Sequence, residues 1–232
     1  MAPKVLIVLT SQDKIPATGN PTGWYLPEFA HPYDVLKGKV ELVIASPKGG
    51  PAPLDPASIK PFANDAVASA FLKEKEPLWR NTVKLSEVKS SDFDAIFYVG
   101  GHGPLFDLYE DADSIRLIQE FAEAKKIVSA VCHGPAVFLK ATAGGKPVVT
   151  DATVTGFSNQ EEDQVNMSQH LPYALETELN KQSNGKYVKA DEPWGEKVVV
   201  TKVAATGAPL ITGQNPASAG GVGKEILKAL GL

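Results

Sequence analysis

Apolar and polar positions along this chain fall into blocks, and the blocks mark its elements. The stretch Lys4-Val-Leu-Ile-Val-Leu-Thr10 is an unbroken apolar, partly β-branched run between polar residues, the pattern of a strand buried on both faces of a sheet. Comparable runs occupy 40–45, ending in Ser-Pro-Lys-Gly-Gly; 93–99, ending in Gly100-Gly-His-Gly103; and 127–131. Between the last two, residues 113–126 place Ile115, Ile118, Phe121 and Ala122 on one helical face, with an acidic start and a basic end. Residues 93–131 therefore read as a β-α-β crossover. Residues 27–37 predict a helix between the first two strands, opened by Pro27, followed by Gly38 and made irregular by Pro32.

Residues 56–90 carry short helical patches separated by Pro61 and Pro77, and this spacing predicts a cap or lid insertion. Farther on, 146–157 and 197–212 are β-rich around a helical stretch at 168–182, and 217–230 predicts a closing helix. The alternation implies an α/β fold: one doubly wound, mostly parallel sheet sandwiched by helices, in a single domain over 1–232 without internal repeats. Composition agrees, with 43% hydrophobic and 22% charged residues. A net charge of −4 without a basic block leaves no footprint for nucleic acid or an anionic membrane. The apolar run at 5–9 is too short for a signal-peptide core or a membrane span, so the expected location is intracellular, cytoplasmic or nuclear. One cysteine and four histidines exclude a disulfide framework and a cysteine-rich zinc site.

In open α/β sheets ligands gather at the carboxyl ends of strands, which directs attention to two places. One is Gly100-Gly-His-Gly-Pro104, where glycines leave backbone amides accessible. The other is Ser129-Ala-Val-Cys-His-Gly-Pro-Ala-Val-Phe138, in which an apolar strand runs straight into Cys132 and a helix-compatible segment, a nucleophile elbow with sulfur in place of oxygen. A free cysteine ionises near pH 8.5, and a helix N-terminus with nearby donors lowers that value. The amides of His133 and Gly101 are candidate donors for an oxyanion. A lone cysteine behind four apolar strand residues is usually inert core; the turn, the adjacent histidine and the separate glycine loop together favour catalysis. His31, His102 and His170 are spread too widely to compel a metal site and are assigned structural or surface roles, so no metal and no cofactor is expected.

The strings Ala130-Val-Cys-His-Gly-Pro-Ala136, Tyr98-Val-Gly-Gly-His-Gly103, Thr155-Gly-Phe157 followed by Glu161 and Glu162, and Thr212-Gly-Gln-Asn-Pro-Ala-Ser218 resemble the ThiJ/PfpI superfamily of Parkinsonism-associated deglycase-like proteins. They are most similar to its glutathione-independent glyoxalase III and heat-shock chaperone branch. The resemblance spans nearly the whole chain, including Thr22-Gly-Trp-Tyr-Leu-Pro-Glu28 and His31-Pro-Tyr33. It implies a flavodoxin-like, class I glutamine amidotransferase-like fold. It also implies a triad of Cys132, His133 and Glu162, with Glu161 as the other register, and a further glutamate, Glu28, sharing a proton with the sulfur. Pro27 departs from the aliphatic residue expected there. Taken alone, Glu28, Glu161 and Glu162 read as solvated or helix-starting carboxylates.

The resemblance further implies a small 2-oxoaldehyde substrate, methylglyoxal or glyoxal, converted to lactate through a cysteine hemithioacetal, and a homodimer. Other readings of the same chain are a holdase chaperone, a protein deglycase, an oxidation sensor at Cys132 and a cysteine amidase or peptidase. The insertion at 56–90, by narrowing the pocket, favours small aldehydes over peptides.

Overall fold

The computed structural model describes residues 2–232. Its strands are β1 Lys4–Val8, β2 Glu41–Ser46, β3 Val83–Lys84, β4 Ala95–Tyr98, β5 Ile127–Val131, a small hairpin of β6 Thr142–Ala143 and β7 Lys146–Pro147, and β8 Val198–Lys202 with β9 Pro209–Gly213. All but the small hairpin join one sheet in the order β3-β2-β1-β4-β5-β9-β8, parallel except where β8 runs antiparallel to β9. The α/β class and mostly parallel sheet expected from the sequence are therefore present. Val5, Leu6, Ile7 and Val8 of β1 are fully buried, as the unbroken apolar run requires, and each such side chain contributes about 1.5–3 kcal/mol.

The helices are α1 Leu26–Leu36, α2 Ala66–Glu74, α3 Pro77–Arg80, α4 Ala112–Glu123, α5 Asn159–Gln164, α6 Leu175–Gln182 and α7 Ala219–Ala229. Helix α4 buries Leu117, Ile118, Phe121 and Ala122 and packs on β4 and β5; α1 and α7 pack on one another, and α7 also on β5 and β9. From β1 the chain winds outward to β2 and β3, then returns to β4 and winds the other way through β5. The crevice at the carboxyl ends of β1, β4 and β5 lies at that reversal, where such sheets take ligands.

Three expectations need correction. Residues 56–90 are not a lid: α2 packs on α1, and β3 extends the sheet beside β2, so the segment is chiefly a β2-to-β3 crossover that its prolines break into short turns. Residues 146–157 add no strand to the main sheet. β8 already occupies that edge, and Val148 and Val149 bury their side chains from a turn and Val154 from an isolated bridge to Tyr187. The helix expected over 168–182 is split: Ser168–His170 makes one tight turn, Leu171 turns extended before Pro172, and α6 begins only at Leu175.

Candidate active site

Strand β5 runs into Cys132, whose φ of +60° lies in the left-handed region. For a non-glycine residue this costs about 1–3 kcal/mol and persists only where its surroundings dictate it. Here they do: the Cys132 amide donates to the Gly213 carbonyl at 2.9 Å, and the Cys132 carbonyl accepts from the Phe157 amide at 2.9 Å. The chain then passes Gly134, where a Cβ would stand 2.7 Å from the Tyr98 carbonyl oxygen, so only glycine lets the turn lie this close to β4. The following segment, Gly134–Phe138, is a short 3-10 turn holding Pro135, in place of the α-helix the elbow pattern suggests. A 3-10 turn of five residues brings no helix dipole of useful length to the sulfur.

The side chains form one connected array. Cys132 Sγ lies 3.4 Å from His133 Nδ1, His133 Nε2 lies 2.6 Å from Glu162 Oε2, and the other oxygen, Glu162 Oε1, lies 2.8 Å from His102 Nε2. With Glu162 ionised, both Nε2 atoms donate, which leaves Nδ1 of His133 as the acceptor facing the thiol. Burial alone would raise the Glu162 pKa, but His133 and His102 overcome it and bring it down to about 2. Burial lowers the His133 pKa more than Glu162 raises it, so the imidazole is neutral. The neutral imidazole still donates its Nε2–H to the ionised carboxylate.

Glu28, on the first turn of α1, is wholly buried, and neither of its oxygens has a partner in full hydrogen-bonding geometry. It packs where Gly100 leaves room: a Cβ there would lie 2.5 Å from Glu28 Oε2 and 2.8 Å from Cys132 Cβ. Burial raises the Glu28 pKa well above its ordinary value, against the opposing pull of the Cys132 thiol and the Gly100 backbone. Burial likewise raises the Cys132 pKa, and a charged Glu28 raises it further, while the Gly101 amide favours the thiolate. The sequence expectation of a lowered thiol pKa is thus reversed for the resting site. Sulfur and carboxyl cannot both ionise here; a protonated Glu28 removes the repulsion and supplies a donor to the sulfur.

Of the two candidate registers, Glu162 is the carboxylate on His133, and Glu161 does other work. Fully buried, Glu161 accepts from the Ser158 amide and hydroxyl at 2.9 and 2.7 Å through Oε2. Through Oε1 it accepts from the Trp194 amide at 2.8 Å, Gln214 Nε2 at 3.0 Å and Asn215 Nδ2 at 2.8 Å. It ties the α5 capping box to two distant loops. Glu161→Gln sets an amide N–H against one group of these donors, so a loss of about 2–3 kcal/mol, read as a melting temperature lower by about 5–10 °C, is expected.

Above the sulfur is a small cleft of about 50 Å³, open to solvent, whose walls beyond the array are Tyr25, Phe157, Val165, Trp194 and Pro216. None of the lining residues comes from 56–90; that segment reaches the cleft only indirectly, through Phe62 edge-on to Tyr25 at 6.0 Å. Cys132, His133, Glu162, Glu28 and Gly101 therefore converge as expected from the sequence. His102, assigned there to a structural or surface role, belongs to the array, its ring 4.4 Å from that of His133. His31 pairs with Asp65 at 2.9 Å, and His170 lies beside Gln169; neither lines the cleft. His102, His133 and Glu162 offer ligand atoms within 4.8 Å of one another, a set able to hold a metal ion. As they stand, their hydrogen bonds satisfy one another.

A family model described as DJ-1/PfpI matches residues 26–229. Glyoxalase 3 of Candida albicans is 29% identical, covering 97% of this chain and 98% of that protein. The glutathione-independent glyoxalase HSP31 of Saccharomyces cerevisiae is 30% identical over 99% of both. Among solved structures, the Francisella tularensis Rapid Encystment Protein superposes with a TM-score of 0.88 at 31% identity, covering 98% of this chain and 99% of that one. Glyoxalase III from C. albicans superposes at 0.85, with 27% identity over 98% of this chain and 97% of that one. With its elbow cysteine at the reversal of a parallel sheet and this likeness from end to end, the chain belongs to the DJ-1/PfpI family.

Proposed function

We propose that this protein is a glutathione-independent glyoxalase, converting methylglyoxal and similar small 2-oxoaldehydes to 2-hydroxy acids. The observation that carries the reading is the array itself: a thiol 3.4 Å from a neutral imidazole that is held by an ionised Glu162, beside a buried carboxyl with no partner of its own. Full-length relatives named as glyoxalases support it.

In this reading Cys132 adds to the aldehyde carbon, and its proton passes by way of His133 Nδ1 to the former aldehyde oxygen, giving a hemithioacetal. Neutral again, His133 takes the proton from that carbon; the adjacent ketone oxygen is protonated, and an enediol forms. Reprotonation at the second carbon, with loss of the hydroxyl proton at the first, leaves a thioester. Water cleaves it to lactate and free thiol, so the net change is methylglyoxal plus water to lactate, with no external oxidant or reductant. The amides of Gly101 and His133 are the proposed donors to the oxygen on the attacked carbon. Protonated Glu28 favours the thiolate while it forms.

The test is lactate production from methylglyoxal, without glutathione, by wild type, His133→Ala and Glu162→Gln. Turnover by the wild type is expected, with a loss of about 10²–10⁴-fold in His133→Ala and about 10–100-fold in Glu162→Gln. A folded wild type that forms no lactate removes the proposal.

A further inference from the structure

Trp194 stands out among exposed residues. It is 40% exposed, its φ is +65°, and it sits at the mouth of the cleft. A bulky residue in the left-handed region is a genuine outlier that needs a cause in its surroundings. Here the backbone is fixed by its amide donating to buried Glu161 at 2.8 Å, and the ring by Nε1–H donating to Gln164 Oε1 at 2.6 Å. The ring meets Phe157 edge-on at 5.5 Å, and Phe157 in turn lies 4.5 Å from the His133 ring. A continuous, rigid wall thus runs from the imidazole to the rim, anchored on a carboxylate that takes no part in the array.

From this geometry we infer that Trp194 is the specificity-determining residue of the cleft, a fixed lip that admits 2-oxoaldehydes with a small substituent and excludes branched or aryl ones. The inference rests on the proposed aldehyde chemistry and adds to it the substrate range and the residue that sets it. A cleft of about 50 Å³ between Tyr25, Phe157 and Val165 leaves too little room for a large group on the ketone carbon while Trp194 stays where Glu161 and Gln164 hold it. An exposed ring with no catalytic duty, held in an unfavourable backbone conformation by a buried charge, is what a fixed wall requires.

Trp194→Gly is the informative variant, because glycine adopts this φ without strain and the fold need not suffer when the ring is removed. Methylglyoxal and phenylglyoxal are compared by kcat/KM in wild type, Trp194→Gly and Trp194→Phe, alongside thermal melts. The phenylglyoxal-to-methylglyoxal ratio is expected to rise about tenfold or more in Trp194→Gly, mainly through KM, and by a smaller factor in Trp194→Phe, whose smaller ring lacks the N–H that Gln164 holds. An unchanged ratio in a folded Trp194→Gly overturns the inference while leaving the glyoxalase reading intact. A fall in the ratio also overturns it, showing the ring to be a stacking platform. Wild type inactive on both substrates defeats both readings together. If Trp194→Gly does not fold, Gln164→Ala frees the ring by removing its Nε1–H partner, and the ratio must rise there too.

Discussion

Cys132→Ala is expected to abolish lactate formation from methylglyoxal, lowering kcat by at least about 10⁴-fold, while circular dichroism and melting behaviour stay those of a folded protein. The size of the effect follows from covalency. Without sulfur there is no hemithioacetal to activate the carbon-bound proton, and His133 and Glu162 have nothing to act upon. The fold withstands the change because the left-handed turn at 132 is held by the main-chain bonds to Gly213 and Phe157, which alanine keeps. Activity in Cys132→Ala within tenfold of wild type would show that the chemistry occurs elsewhere.

Glu28→Gln gives the second large effect, and it separates activity from stability. Glutamine fills the same space and can still donate to sulfur, but it has no acidic proton, so kcat is expected to fall by about 10²-fold. Stability moves the other way. Burial holds the Glu28 pKa well above the unfolded value of 4.5, so the folded state binds the proton more tightly. That contribution is complete below pH 4.5 and is lost as pH rises toward the folded pKa, because the unfolded chain releases its proton first. Wild type therefore weakens as pH rises above 4.5 in a way the variant does not, and the melting temperature of Glu28→Gln relative to wild type climbs over that interval. A constant difference across it would mean that Glu28 is ionised in the folded protein.

The parts legible in the sequence were those written in local pattern. The runs at 4–10 and 127–131 announced central strands because nothing polar interrupts them, and the crossover through 113–126 followed from one apolar stripe. The elbow at Cys132 was legible because the strand ends where the turn must begin. What lay beyond reach depends on pairing across long separations. Nothing near His102 states that it will meet Glu162, 60 positions on, and its only local signal was a place in the Gly-Gly-His-Gly loop at a strand end. Glu161 and Glu162 are indistinguishable as neighbours in an acidic first turn; one turns toward His133 and the other toward Trp194 because α5 rotates them apart. The raised thiol pKa is not legible in the sequence because position predicts the donors near sulfur but not the buried carboxyl behind it. The segment 56–90 misled for a related reason: its prolines look like a detour, yet they bend a short crossover back onto the sheet edge.

The nucleophile occupies a backbone position better suited to glycine, since its φ of +60° suits a residue with no side chain at all. Selection for robustness alone would drift position 132 toward that simplest residue, and every such step would silence the chemistry. A sulfur-bearing side chain in that conformation marks a site at which usefulness outweighs durability.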